Sequence, residues 1–149
     1  MDFKKQGCVF CSALQQPDGP ENGIIYRGKH AFVILNTYPY TSGHTMVLPY
    51  RHARDLSELD EVTRAEMIEL VTTVSEVLEK VYQAGGVNIG INMGAAAGAG
   101  IEEHIHIHIV PRWEGDTNFM TAVGDTRVLP EALDETYRRV KNAWQPDSG

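Results

Sequence analysis

Polar and apolar residues alternate from His104 to Ile109. His104, His106 and His108 fall at one parity and Ile105, Ile107 and Ile109 at the other. Successive side chains of an extended strand point to opposite faces, so a period of two predicts a strand with a histidine face and an isoleucine face. β-Branched isoleucine suits a strand with one buried side. Four further runs read as strands: residues 23–27, 31–35, 44–50 and 87–93. Gly28-Lys29-His30 makes a short hairpin turn between the first two, and Pro49 marks where ladder pairing of the third ends. Between the third and fourth runs the period lengthens. Met67, Leu70, Val71, Val74, Val77, Leu78 and Val81 recur at helical spacing on one face. Thr63 followed by Glu66 has the form of a capping box and sets the predicted start of this helix, while Gly85-Gly86 sets its end. Residues 130–144 read as a final helix, with Pro130 in its first turn and Leu133, Tyr137, Val140 and Trp144 as its apolar stripe.

Composition narrows the setting. A chain of 149 residues is expected to form one domain, 1–149, able to bury a core without staples. The formal net charge of -7 argues against binding of a nucleic-acid polymer through phosphate neutralisation, yet leaves room for a nucleotide in a local pocket. No apolar run approaches membrane-spanning length, and the first residues lack the apolar stretch of a signal peptide; no membrane association and a cytoplasmic location are expected.

The chemistry concentrates in two places. Cys8 and Cys11 are the chain's two cysteines, and their spacing admits a zinc half-site, a redox pair or two incidental thiols. A thioredoxin-type pair should follow a strand and open a helix, and no strand pattern precedes Cys8. A zinc half-site needs two more ligands from elsewhere. The histidine face admits two chemistries. The three rings could jointly hold one catalytic metal with an open position for water. Alternatively, one neutral imidazole attacks an electrophile while its neighbours orient it and handle protons. The small-residue loop at 94–100, just ahead of the histidines, lets backbone N–H groups approach an anion and favours phosphoryl chemistry.

The run His104-Ile105-His106-Ile107-His108-Ile109-Val110 resembles the motif of the histidine-triad family. Asn36, the segment 42–49, the long helix and Asn92-Met93-Gly94 fall in that family's order, and the likeness covers about residues 8–120. Residues 111–120 and the helix after them resemble the branch with bacterial diadenosine tetraphosphate phosphorylases and hydrolases. The resemblance implies an α+β fold in which the long helix packs on a five-stranded antiparallel sheet, with a C-terminal helix, and a homodimer sharing a larger sheet. It implies nucleotidyl transfer or hydrolysis at an α-phosphate of dinucleoside polyphosphates. His106 is then the nucleophile, His108 a phosphate contact, and His44 their neighbour. Asn36 falls at the ribose, Phe10 and Leu35 beside the base, and Asn92, Gly98 and Gly100 at the phosphates. Where related sequences carry serine or glutamine just before the triad, this chain has Gly100, which leaves a backbone N–H. By the same resemblance, Cys8, Cys11, His52 and His104 hold a structural zinc, and Mg2+ accompanies the polyphosphate. Nucleoside phosphoramidate hydrolysis and nucleotide binding without turnover are the competing functions.

Overall fold

In the computed structural model, which describes residues 7–99, 103–116 and 131–144, the sheet forms as the alternation requires. Its strands are β1 (Ile24–Arg27), β2 (Ala31–Leu35), β3 (Thr45–Pro49), β4 (Gly86–Ile91) and β5 (Ile107–Arg112), in the order β1-β2-β3-β5-β4. All neighbours run antiparallel. Among the described residues three α-helices join the sheet: α1 (Val9–Ala13), α2 (Glu61–Tyr82) and α3 (Leu133–Ala143). This is the expected α+β class with five strands and one long helix.

The two faces of the sheet bury different sets. Ile25, Val33, Leu35, Val47, Ile107 and Ile109 meet the apolar stripe of α2, where Met67, Leu70, Val71, Val74, Val77 and Leu78 are buried. Tyr137, Val140 and Trp144 bring α3 into the same core. On the other face Ile24, Phe32, Ile34, Met46 and Leu48 pack with Leu14, which follows α1. Strands β2 and β3 are therefore buried at every position. Each large aliphatic side chain removed from water contributes roughly 1.5–3 kcal/mol, which makes this double covering the main stabiliser of the central strands.

Several boundaries differ from the sequence reading, each for a local reason. The ladder of β5 begins at Ile107; ahead of it the Ile105 N–H donates to the Ala53 carbonyl at 2.7 Å, so the chain stays extended against a loop and the parity carries back to His104. Pro49 remains within its ladder, opposite Ala31. Helix α2 starts earlier than the Thr63-Glu66 pair indicated, because Asp60 is the cap and accepts the Thr63 N–H at 2.9 Å. Glu66 turns instead to the β1–β2 hairpin, accepting the His30 N–H at 2.8 Å and the Ala31 N–H at 3.1 Å. Gly28 makes that approach possible, since a Cβ there would stand 2.4 Å from a Glu66 oxygen. The helix ends through Gln83 in the left-handed region (φ 51°) rather than at the glycine pair, whose second member opens β4. Helix α3 starts at Leu133; Pro130, Phe119 and Met120 lie outside the described residues. Among the described residues no helix is long and apolar enough to cross a membrane.

Replacing Glu66 by alanine leaves two hairpin N–H groups without their acceptor. A loss of about 2 kcal/mol is expected, read as a lower urea midpoint at unchanged slope.

Candidate active site and metal cluster

Four side chains separated by up to 96 positions meet where the N-terminal segment crosses the start of the histidine run. Cys8, Cys11, His52 and His104 each offer one ligand atom, and these atoms all lie within 4.8 Å of one another. Cys8 Sγ stands 3.5 Å from His104 Nδ1, Cys11 Sγ 3.6 Å from His52 Nδ1 and 3.7 Å from His104 Nδ1. Zinc bonds of about 2.3 Å to sulfur and about 2.0 Å to nitrogen set tetrahedral neighbours roughly 3.5–3.8 Å apart, so the spacing fits a metal of that size. The other nitrogen of His104 is fixed: its Nε2 lies 2.8 Å from the Pro49 carbonyl, to which it donates. That bond leaves Nδ1 unprotonated and turned to the sulfurs, the usual support for a metal-bound histidine. Burial also pushes the His104 pKa down to about 4, which keeps the ring neutral. These four residues can hold a metal.

Two residues on, His106 shows the same tautomer logic with a different outcome. Its Nδ1 is 2.8 Å from the His104 carbonyl and donates to it. Nε2 then carries the lone pair. His106 lines a cleft of about 960 Å³ together with Phe10, Leu35, Asn36, Tyr38 and Glu103. Glu103 holds a carboxylate oxygen 3.9 Å from Nε2. Phe10, on α1, sets its ring 5.5 Å from that of His106 and 5.9 Å from that of His104. The metal ligands thus flank the residue that walls the cleft.

His108 belongs to a chain of directed hydrogen bonds. The Tyr40 N–H donates to His44 Nδ1 at 3.1 Å, so neutral His44 carries its proton on Nε2. That nitrogen lies 2.9 Å from His108 Nδ1 and donates to it, which puts the proton of His108 on Nε2. Burial, reinforced by His108 and His106 nearby, pushes the His44 pKa down to about 3, and burial first also lowers that of His108. Both rings are neutral at pH 7, one presenting a lone pair inward and the other an N–H outward. On the neighbouring strand Gly90 stands opposite His108, and a Cβ there would meet nothing within 4 Å, so position 90 sets no side chain against that ring. The loop carrying His44 is pinned at Gly43 (φ +88°), where a Cβ would fall 2.8 Å from the Tyr82 ring.

The family model for the HIT domain matches residues 20–115. The chain belongs to the histidine-triad (HIT) family. It is 38% identical over 131 residues to the AP-4-A phosphorylase of Mycobacterium tuberculosis, spanning 88% of this chain and 67% of that protein. Over 93 residues it is 36% identical to the asymmetrical bis(5'-nucleosyl)-tetraphosphatase of Schizosaccharomyces pombe, 62% of this chain and 50% of that one. A zinc-bound histidine triad family protein from Mycobacterium smegmatis matches in structure with a TM-score of 0.75 at 31% identity, covering 93% of each chain.

Most sequence-predicted residues of this HIT protein meet in one place. His106, Phe10, Leu35 and Asn36 share the cleft; His108 and His44 adjoin it; of the four candidate ligands Cys8 and Cys11 line it too, and His52 and His104 complete their cluster. The Asn36 amide nitrogen is 3.3 Å from His44 Nε2, and its oxygen accepts the Tyr38 N–H at 2.8 Å. Asn92 and Gly98 adjoin each other, a Cβ on Gly98 falling 3.8 Å from the Asn92 amide, but neither lines the cleft. Gly100 lies outside the described residues. The sequence reading passed over Glu103 and Tyr40. A carboxylate one residue before an alternating histidine run, and an aromatic four residues before His44, were the signals available for them.

The depressed His44 pKa has a consequence for stability. In the unfolded chain the ring takes up a proton near 6.5, whereas in the fold it does so near 3. The unfolded state binds more protons across that window, so stability is retained above pH 6.5 and falls as pH drops toward 3. Denaturant melts at pH 7.5 and 5 should show a loss of up to about 2 kcal/mol from this group, and His44→Asn should reduce that pH dependence.

Proposed function

We propose that this HIT protein cleaves dinucleoside polyphosphates at an α-phosphate through a nucleotidyl group carried on His106. The observation that carries this reading is the 2.8 Å bond from His106 Nδ1–H to the His104 carbonyl, which leaves Nε2 as the nucleophilic atom at the cleft. The similarity to an AP-4-A phosphorylase and to a bis(5'-nucleosyl)-tetraphosphatase supports the substrate class.

In this reading the base of the retained nucleotide enters beside Phe10 and Leu35, with its ribose at Asn36. The Nε2 lone pair forms the N–P bond while the bond to the bridging oxygen breaks, and the electron pair leaves with the polyphosphate. A polyphosphate is a stable anion and needs no proton to depart. The positive charge that develops on the His106 ring is shared with the His104 carbonyl. The outward N–H of His108 hydrogen-bonds a non-bridging phosphoryl oxygen, where charge accumulates. An acceptor oxygen, from water or from phosphate, then forms its bond to phosphorus as the N–P bond breaks and returns its electron pair to Nε2; an attacking water gives up its proton to solvent. Asn92 and the backbone around Gly98 are assigned to the remaining phosphates, and magnesium to the substrate as its counter-ion.

Zinc is the cation proposed for the cysteine–histidine cluster, on its two-sulfur, two-nitrogen donor set and on the zinc-bound M. smegmatis relative. A closed four-ligand site fastens α1 to the histidine run and takes no part in the reaction. A reducing, cytoplasmic compartment suits its two thiols. A homodimer joined along β4 belongs to the same reading. That strand ends the sheet, and Ile89 and Met93 are exposed beside it, the kind of edge a second copy would cover.

His106→Asn should lower turnover of diadenosine tetraphosphate at least a thousandfold without changing the fold. Chromatography of products with and without inorganic phosphate separates ADP, from phosphorolysis, from AMP, from hydrolysis. Full activity in His106→Asn would sink the assignment. Elemental analysis should find about one zinc per chain, lost in Cys8→Ser and kept in His108→Ala; the reverse pattern would indicate a catalytic three-histidine metal.

A further inference from the structure

Tyr40 is 69% exposed, yet its ring is not loose on the surface. It lies 4.5 Å from the His44 ring and 6.1 Å from that of His108, within 19° of parallel to the latter. Its backbone N–H is committed to His44 Nδ1. The loop that bears it is tied down a few residues on, where Ser42 Oγ accepts the Glu131 N–H at 2.8 Å and Gly43 abuts Tyr82. Glu131 is in turn held by Tyr82, Thr136 and Arg139. A large aromatic ring is thus fixed against the catalytic histidines with most of its surface open to solvent.

Its place along the site gives it a role. Rings follow one another from Phe10 to His106 at 5.5 Å, from His106 to His108 at 4.7 Å, and from His108 to Tyr40 at 6.1 Å. The cleft lies on the Phe10 side, and Tyr40 is not part of its lining. With phosphorus at His106, the retained nucleoside occupies the cleft, and the departing half of the substrate extends past His108. Tyr40 is the exposed aromatic on that side among the described residues.

We propose that the open face of Tyr40 is a stacking platform for the base of the leaving nucleoside polyphosphate. This rests on the reaction proposed above and deepens it: the site selects leaving groups that end in a nucleoside over bare polyphosphates. Any base presents a π-face, so the platform recognises the presence of a second base rather than its identity.

The test compares kcat/KM for diadenosine tetraphosphate with that for adenosine 5'-tetraphosphate, which has the same four phosphates and no second nucleoside. Wild-type protein should favour the dinucleotide. Tyr40→Ala should cut that preference about tenfold, the loss expected for one base–aromatic stack, while Tyr40→Phe and Tyr40→Trp retain it. Calorimetric affinities of both nucleotides for His106→Asn protein, with and without Tyr40→Ala, read the same ratio without turnover. A ratio unmoved by Tyr40→Ala in both measurements overturns the proposal, as does a smaller particle in sedimentation with the preference intact, which would make the ring a subunit contact. If neither substrate is cleaved but the affinity ratio still depends on Tyr40, the reaction falls and the platform stands. If neither nucleotide binds, both fall.

Discussion

One carbonyl group, that of His104, joins the two halves of the site. It accepts a hydrogen bond from His106 Nδ1–H, while the side chain of the same residue turns Nδ1 to two sulfurs and donates a hydrogen bond from Nε2–H to the Pro49 carbonyl. The orientation of the His106 ring thus depends on a backbone that is itself held through its side chain. Were that backbone to shift, His106 could exchange tautomers and lose its lone pair at the cleft. Because the ring of His104 is buried and neutral, its directing bonds persist across the physiological pH range.

The rest of the fold keeps that arrangement stiff. Ile105, Ile107 and Ile109 are sunk into the core beneath α2, so the histidines between them are held from behind by close-packed aliphatic side chains. Cross-strand register sets Met46 and Gly90 on either side of His108. The bulkier neighbour packs into the core, and the smaller presents no side chain to the ring. A second layer of control comes from the loop before β3. Its backbone N–H at Tyr40 dictates the tautomer of His44, and through it that of His108. His104 and His106 receive their proton positions directly from main-chain carbonyls and His108 receives its own through His44, so all three trace back to main-chain groups, which do not titrate.

Much of this was written in the residue pattern. The period of two in the histidine run fixes which rings share a face, and the 3.6-residue period fixes which face of α2 is buried. Neither depends on distant contacts. Of the four candidate metal ligands, spacing offered Cys8 and Cys11 as a half-site, but His52 and His104 were legible only through the family resemblance, because Cys8 and His104 are 96 positions apart and spacing says nothing about such encounters. The start of α2 was misread for a physical reason. Thr63 and Glu66 satisfy a local capping rule, but Glu66 finds better acceptor work on the hairpin of β1 and β2, and Asp60 caps in its stead. Tyr40 and Glu103 gave no periodic signal, since loop positions obey no period, and their relation to the histidines exists only in three dimensions. Asn92 and Gly98 stand apart from the cleft that Phe10 and Asn36 line.

Helix α1 has five residues, far too few to hold itself in water. It is nonetheless the element that presents Phe10 to the cleft, and both of its anchoring sulfurs belong to the ligand cluster. Order in the cleft wall is therefore coupled to order in the cluster. Thermodynamic linkage makes such a coupling mutual: were a cation to stiffen α1 and a nucleotide to pack on Phe10, each would raise the other's equilibrium affinity by the same factor. A cluster proposed as structural would by this route act on binding as well, through the folding of a single helical turn.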